Sequence, residues 1–136
     1  MYEDRRAELL TIRRPRWAFH AVPSASASGL WECDLATEQL IWSDGVYDLF
    51  GLPRGVAIDR AATLAQYLPE SRIVMECHRV AAIRDKTGFT VDAQIRVDGA
   101  VRWIRIAAHV ECIDGAAVRL RGAKYDVTFE RSLIAA

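Results

Sequence analysis

The side chains that could bind a metal ion do not stand at spacings that a metal site needs. Glu76, Cys77 and His78 are consecutive, and neighbouring positions of a helix point about 100° apart, so the three do not converge on one ion. His109 and Cys112 are three positions apart on a predicted strand, which places them on opposite faces. We therefore predict no metal site.

Nucleophiles and paired carboxylates are equally poorly placed for catalysis. None of the serines stands in a Gly-x-Ser-x-Gly turn, the arrangement that exposes a nucleophilic hydroxyl. Asp34 and Glu38 flank a predicted surface turn. The glycines fall singly, so the sequence contains no phosphate-binding loop and no dinucleotide fingerprint. We predict no catalytic residue.

Large apolar side chains could line a pocket, because small-molecule sites are mainly apolar and aromatic. The candidate pocket residues are Trp31, Trp42, Tyr47, Phe50, Tyr67, Ile73, Cys77, Phe89, Val91 and Ile106. The same side chains could instead be plain core packing, since aromatic residues fill small domains with or without a ligand. Lys124 and Arg119 could meet an anionic ligand, but we expect both to be solvated charges at a sheet edge.

Trp103 is a candidate for an interface. It is expected to project from the strand face opposite the core, and a large exposed apolar surface usually marks an interface. A predicted helix over residues 3–13, which carries Leu9 and Leu10, or the same helix of a second copy, is the expected cover. Together with Arg105 these residues form the candidate interface of a symmetric homodimer.

Composition limits the class of protein. The 136 residues fit one domain, and 18 basic against 18 acidic residues give no net charge, which argues against nucleic acid as a partner. No apolar run is long enough to span a membrane, and the charged first residues do not lead into a secretory signal. Three widely spaced cysteines are typical of reduced thiols. We expect a cytoplasmic protein.

The second half of the chain predicts a three-stranded antiparallel meander. Its strand-like runs are Phe89 to Val97, Val101 to Cys112 and Ala117 to Val127. The runs are separated by Asp98-Gly99 and Asp114-Gly115. Asp-Gly between alternating apolar runs favours a hairpin, because a type I′ turn needs positive φ at both central residues.

The first half predicts two short strands followed by helices. Residues 30–35 alternate with Trp31 and Cys33 on the inner face, and residues 40–42 form the second strand. Ser43 can cap a helix that Gly51 ends. A longer helix runs from Pro69 to about residue 86. Its expected apolar face consists of Ile73, Val74, Cys77, Val80, Ala81 and Ile83.

In this order, the chain resembles a PAS domain. The resemblance rests on four stretches, which are Gly29 to Leu35, Ile41-Trp42-Ser43 with Leu49 to Pro53, Phe89-x-Val91 through Arg102-Trp103-Ile104, and Leu120-Arg121-Gly122 through Asp126-Val127-Thr128-x-Glu130-Arg131. It implies an α+β fold with a five-stranded antiparallel sheet, short helices on one face and an N-terminal flanking helix. The expected division is an N-terminal helix and linker over 1–28, a PAS domain over 29–131 and an exit segment over 132–136.

The resemblance also implies a role and a set of cofactors to consider. The expected role is sensing a small-molecule ligand or mediating dimerisation without catalysis, with the output in a further domain or a separate partner protein. Flavin-binding light sensors of this superfamily carry a cysteine in an Asn-Cys-Arg-Phe-Leu stretch that this sequence lacks, so we expect no covalent flavin. Haem-binding members use a histidine late in the long helix, whereas His78 lies about ten residues before Gly88, so haem is disfavoured.

Two other classes of function stay open. A small enzyme on a curved sheet would need an acid or base in the cavity, and Asp92, His78 or His109 inside it would favour that class. A purely structural dimerisation module would have a filled core. Contact among Trp42, Phe50, Tyr67 and Phe89 would leave no room for a ligand.

Overall fold

The fold was obtained as a computed structural model, which describes residues 27–135. The helix predicted over residues 3–13, with Leu9 and Leu10, lies outside the described residues. Within them, no helix is both long and apolar enough to cross a membrane.

Five antiparallel strands form one sheet. The strands are β1 (Ser28–Asp34), β2 (Leu40–Trp42), β3 (Gly88–Val97), β4 (Ala100–Ile113) and β5 (Ala116–Asp126). Their order in the sheet is β2-β1-β5-β4-β3, with every neighbouring pair antiparallel. The predicted five-stranded α+β fold is confirmed. Because β5 pairs with both β1 and β4, it is an interior strand of the sheet.

Three helices connect β2 to β3, and a fourth follows β5. They are α1 (Asp44–Phe50), α2 (Arg60–Leu64), α3 (Pro69–Asp85) and α4 (Thr128–Ala135). Gly51 ends α1 with a φ of 71°, which glycine adopts without a steric penalty. The side chain of Asp59 accepts a hydrogen bond from the Ala61 N–H at the start of α2. Pro69 begins α3 in its first turn, where no helical partner for its nitrogen is needed.

The two predicted hairpin turns adopt the backbone conformation that their sequence requires. Asp98 and Gly99 have φ values of 50° and 81°, and Asp114 and Gly115 have values of 51° and 80°. Both central residues of each turn are therefore left-handed, as a type I′ turn demands. These turns fix the register of β3, β4 and β5.

Helix α3 is rotated away from the predicted orientation. Its buried residues are Met75 and Ala82, whereas Ile73 and Val80 are 63% and 59% exposed. The expected apolar face was therefore wrong at Ile73, Val74, Cys77 and Val80, which are exposed, whereas Ile83 packs against the core as expected. The start of the helix is tied to β3, where Leu68 N–H donates to the Gln94 carbonyl at 3.0 Å and Ser71 Oγ accepts from Gln94 N–H at 2.8 Å. With this attachment, the side of α3 that carries Met75 and Ala82 faces the sheet.

Charged side chains dock α4 on the outer face of the sheet. We call Asp92, Arg105, Glu130 and Arg131 the exit clamp. Arg105 donates to both carboxylate oxygens of Asp92, at 2.6 and 2.9 Å, and also pairs with Glu130. Arg131 contacts Asp92 at 3.5 Å, and its guanidinium lies 4.0 Å from the ring centre of Trp103.

The half-buried Trp103 is therefore covered in part by α4, a cover that we did not predict. Its backbone is held as well, since Trp103 N–H donates to Thr128 Oγ1 at 2.9 Å and its carbonyl accepts from Val127 N–H at 2.8 Å. The predicted cover by residues 3–13 or by a second copy stays a prediction.

We expect Gly45→Ala to lower the free energy of unfolding by about 2 kcal/mol, the usual cost of overpacking. A Cβ atom at Gly45 would lie 1.6 Å from the carbonyl oxygen of Ser28, so α1 would have to move away from β1. Urea denaturation measures the change. The matched control is Gly99→Asn, because Asn tolerates positive φ and nothing lies within 4 Å of that position. Equal losses in the two variants would contradict this packing.

Candidate ligand-binding site

A cavity of about 40 Å³ lies between the inner face of the sheet and helices α2 and α3. Every strand of the sheet contributes at least one side chain to it. The lining residues are Trp31, Cys33, Leu40, Arg60, Thr63, Leu64, Tyr67, Met75, Arg79, Phe89, Ile106 and Lys124. A volume of this size holds two or three water molecules or a ligand of a few heavy atoms.

Lys124 places an amine inside this cavity. Its side chain belongs to β5, and the residue is only 8% exposed. The Nζ atom lies 4.7 Å from the ring centre of Trp31, 5.2 Å from that of Phe50 and 5.8 Å from that of Trp42. These distances allow cation–π attraction when the amine is charged. Among residues 27–135, no carboxylate forms an ion pair with it.

Burial lowers the pKa of the Lys124 amine to about 7. Desolvation is the main cause, because an ammonium ion loses its hydration in an apolar surrounding. Cys33 raises the pKa and Arg60 lowers it further, both by smaller amounts. Near neutral pH, both the protonated and the neutral amine are populated.

The expectation that Lys124 is a solvated edge charge is wrong, and its strand explains why. Side chains of a strand alternate between the two faces, so Lys124 follows Val118, Leu120 and Gly122 onto the inner face. Residues of helices α2 and α3 line the same cavity as Lys124, so these helices cover the inner face at this position. Arg119 has the opposite parity and donates to Glu111 at 2.6 Å on the outer face.

Two buried indole groups beside the amine lack a hydrogen-bond acceptor. Trp31 and Trp42 are 5% and 3% exposed, and neither Nε1 atom has a partner in the described part of the chain. A buried donor without an acceptor costs about 1–3 kcal/mol. Trp31 lines the cavity, so a bound group that accepts hydrogen bonds could remove that cost.

The rim of the cavity carries two arginines that are already paired. Arg60 contacts Glu76 at 2.7 Å and Glu38 at 3.2 Å, and Arg79 contacts Glu38 at 3.4 Å. The side chains of Arg60 and Arg79 are 19% and 15% exposed. The two carboxylates balance the two guanidinium charges. The protonation state of Lys124 therefore decides the net charge at the site.

The structure brings part of the predicted pocket together. Trp31, Tyr67, Phe89 and Ile106 line the cavity. Trp42, Tyr47 and Phe50 form an aromatic wall in the adjoining core, where Trp42 stacks on Phe50 at 4.8 Å and meets Tyr47 edge-on at 5.3 Å. Trp42 and Tyr47 also line a second, more open pocket of about 340 Å³. Val91 packs at the margin of the core. The contact of Phe50 with Tyr67 at 6.1 Å reduces the cavity without filling it.

Other candidates lie away from the cavity. Ile73 and Cys77 are exposed on the outer side of α3, because that helix turns Met75 inward instead. His78 is exposed with its ring 6.0 Å from Phe89, and Asp92 belongs to the exit clamp on the outer face. His109 is exposed on β4. None of the three titratable groups that would favour an enzyme lines the cavity.

Sequence reasoning missed the polar half of the lining. Lys124 could have been found from the alternation of β5, and Arg79 from its place four residues after the inward Met75. Arg60 and Thr63 carried no such signal. They belong to the five-residue α2, which is too short for a readable apolar period.

Comparison with known proteins bears on the fold. No protein-family model matches the chain, and no curated protein does. Among solved structures, a sensory box histidine kinase/response regulator from Burkholderia thailandensis E264 is 20% identical with a TM-score of 0.69, over 89% of this chain and 91% of that one. The N-terminal domain of a diguanylate cyclase with PAS/PAC sensor from Marinobacter aquaeolei is 21% identical with a TM-score of 0.68. The match covers 76% of this chain and 98% of that one.

A third similar structure belongs to a much longer protein. An RNA-binding Light-Oxygen-Voltage receptor is 16% identical with a TM-score of 0.67, over 81% of this chain. The match spans 35% of that receptor. All three structures share the arrangement of sheet and helices described above, and this chain therefore has a PAS fold.

Proposed function

We propose that this chain is a sensory domain that binds a small anionic ligand in the cavity around Lys124 and signals its presence through α4. The observation that carries the proposal is a lysine without a counter-ion beside an indole N–H without an acceptor. Lys124 and Trp31 line one cavity. Within residues 27–135, no carboxylate forms an ion pair with Lys124, and the buried Trp31 Nε1 atom has no hydrogen-bond partner. A ligand carboxylate or similar anion would satisfy both groups.

Charge and size define the class of ligand. An anion beside the amine favours its protonated form, so binding near neutral pH takes up part of a proton. The paired arginines at the rim leave Lys124 as the cavity's unbalanced positive charge in the described structure. A cavity of about 40 Å³ suits a molecule of a few heavy atoms.

A path from the cavity to α4 supports the sensory role. Lys124 pairs with Ile106 across the sheet, and the next pair is Tyr125 with Arg105. Arg105 points to the outer face and holds Glu130 of α4. A ligand that shifts β5 would therefore act on the exit clamp, provided that it binds the two arrangements with different affinity.

The far side of α4 offers a surface for a signalling partner. Phe129, Leu133 and Ile134 are 67%, 62% and 69% exposed, an apolar group of the kind found at interfaces. We propose that this surface, with Trp103 and Arg105 beside it, contacts an output domain, a partner protein or a second copy. The two bacterial neighbours, which are a kinase and a cyclase protein, support the role in signalling.

Native mass spectrometry and calorimetry test the binding proposal. The protein purified from cells is weighed intact and after denaturation, and a small mass lost on denaturation identifies the ligand. Formate, acetate and glycolate are then titrated at pH 7.5 in HEPES and in Tris, two buffers without a small anion that differ in their enthalpy of ionisation. We expect a binding enthalpy that differs between the buffers because of proton uptake, and no binding to Lys124→Met. Undiminished binding to Lys124→Met contradicts the proposed site. The matched control is Lys86→Met, which should bind like the wild type because Lys86 is exposed.

We predict that the free energy of unfolding rises with pH because the buried Lys124 amine loses its destabilising charge. The folded pKa of about 7 lies below the ordinary value of 10.5, so between these pH values the unfolded chain binds more protons, and stability rises with pH. The free energy of unfolding of the wild type, minus that of Lys124→Met, should increase by about 2 kcal/mol from pH 7 to pH 9. Urea denaturation at the two pH values measures it. A difference that does not change with pH places the amine in water.

We predict that Arg105→Gln loosens α4 while the sheet stays intact. The variant leaves the partly buried Glu130 without its cation and Asp92 with only the more distant Arg131, at 3.5 Å, at a cost of about 2 kcal/mol. Hydrogen exchange should become faster in residues 128–134 and stay unchanged in β1. Arg54→Gln is the control, because the pair of Arg54 with Asp48 is exposed and such pairs contribute little. Unchanged exchange in α4 would show that the clamp does not hold it.

A further inference from the structure

We propose that Lys124 captures a small 2-oxo acid as an imine inside the cavity. The inference rests on the proposed function, since it uses the same cavity, and it goes further by naming a covalent bond and a carbonyl group in the ligand. A ligand of this class has two groups that would interact with different parts of the site. Its carbonyl carbon would react with the amine, and its carboxylate would accept hydrogen bonds from the donors.

The position of Lys124 gives it the properties of a nucleophile. Only a neutral amine attacks a carbonyl carbon, and lysines that react in this way are desolvated in apolar pockets. Lys124 is 8% exposed against three aromatic rings, and no carboxylate within the described range pairs with it to hold a proton on the amine. The lowered pKa agrees with this geometry.

The choice of lysine is unusual for this sequence. Of the 18 basic residues, only Lys86 and Lys124 are lysines, and the rest are arginines. A guanidinium does not lose its proton in proteins, so an arginine at position 124 could bind an anion without reacting with a carbonyl. The cavity therefore holds the one kind of basic side chain that can do both.

The reaction balances without an oxidant or a reductant. The neutral Nζ attacks the carbonyl carbon, a C–N bond forms and the C=O bond becomes a C–OH bond. The nitrogen then supplies its electron pair to form C=N, and the hydroxyl leaves with a proton as water. The products are one imine and one water molecule. Hydrolysis reverses the step, so capture responds to the concentration of the ligand.

Groups around the amine suit the acid part of the ligand. The indole N–H of Trp31 is unpartnered in the described structure, and the Arg60 guanidinium lines the same cavity. The other titratable or charged groups facing the cavity are Cys33, Tyr67 and Arg79. Cys33 is the competing nucleophile, and it is 1% exposed with its Sγ 3.7 Å from the Asp34 carbonyl oxygen.

Reductive trapping tests the proposal on the full chain. The protein is incubated with glyoxylate, the smallest 2-oxo acid, and sodium cyanoborohydride at pH 7.5, then weighed intact and mapped by peptides. Reduction of the imine leaves a carboxymethyl group on the nitrogen. Because an amine of pKa about 7 is mostly neutral at this pH and an ordinary lysine is not, we expect at least about tenfold more modification at Lys124 than at the exposed Lys86.

Lys86 makes the test independent of any variant, since both lysines are compared in one wild-type sample. Lys124→Arg should lose the adduct, while Lys86→Arg should keep it. Equal or lower modification at Lys124, or an adduct on Cys33 instead, overturns the proposal. Peptide mapping counts the α-amine of the chain separately.

Glycolate separates this inference from the proposed function. It matches glyoxylate in heavy atoms and carries a hydroxyl in place of the carbonyl. If glycolate binds at Lys124 and glyoxylate leaves no adduct there, the result supports the proposed anion site and contradicts imine formation. If glyoxylate modifies Lys124 and glycolate also protects that lysine from modification, both are supported. If glyoxylate modifies Lys124 and glycolate does not bind, the result supports imine formation and contradicts the proposed binding of a simple anion.

Discussion

The inner face of this PAS-fold domain buries one amine, Lys124, for which residues 27–135 provide no counter-ion. Transfer of an ammonium group into an apolar core is unfavourable unless a partner compensates. Around Lys124 the described structure provides aromatic rings instead of a carboxylate. The amine therefore gives up its proton more readily than an ordinary lysine, and a small cavity is left beside it.

The sheet connects this amine with the surface from which a signal could leave. The inner residue Lys124 and the outer residue Tyr125 are neighbours on β5, and their partners on β4 are Ile106 and Arg105. A movement of β5 must alter both faces because the backbone is shared. On the outer face the exit clamp joins two strands and α4 through ion pairs that are largely shielded from solvent. Such pairs are sensitive to small changes in geometry.

The parts of the fold that could be predicted from the sequence are those that local chemistry determines. The two Asp-Gly turns, the alternation of β3 and the end of α1 at Gly51 follow from the residues themselves. Together with the resemblance to PAS domains they were sufficient for the architecture. The aromatic part of the cavity could be predicted for the same reason, since bulky apolar residues on the inner faces of strands must meet the helices.

The parts that were missed depend on contacts between distant segments. The rotation of α3 is decided by hydrogen bonds of Leu68 and Ser71 to Gln94, and periodicity carries no information about them. The charge of Lys124 favours an exposed position at a sheet edge, whereas the alternation of β5 indicates the inner face. Only the order of the strands shows that β5 is interior. The polar lining from α2 has no sequence pattern at all, because five residues do not make a period.

Titration of the Lys124 amine measures directly whether this group is desolvated. The chain contains two lysines, so protein labelled with ¹³C and ¹⁵N in lysine gives two sets of Cε and Nζ resonances, and the set lost in Lys124→Met belongs to Lys124. We expect a midpoint of about 7 for that set. A midpoint near the ordinary 10.5 would contradict it, because the amine would then be hydrated and, at neutral pH, too fully protonated to act as a nucleophile.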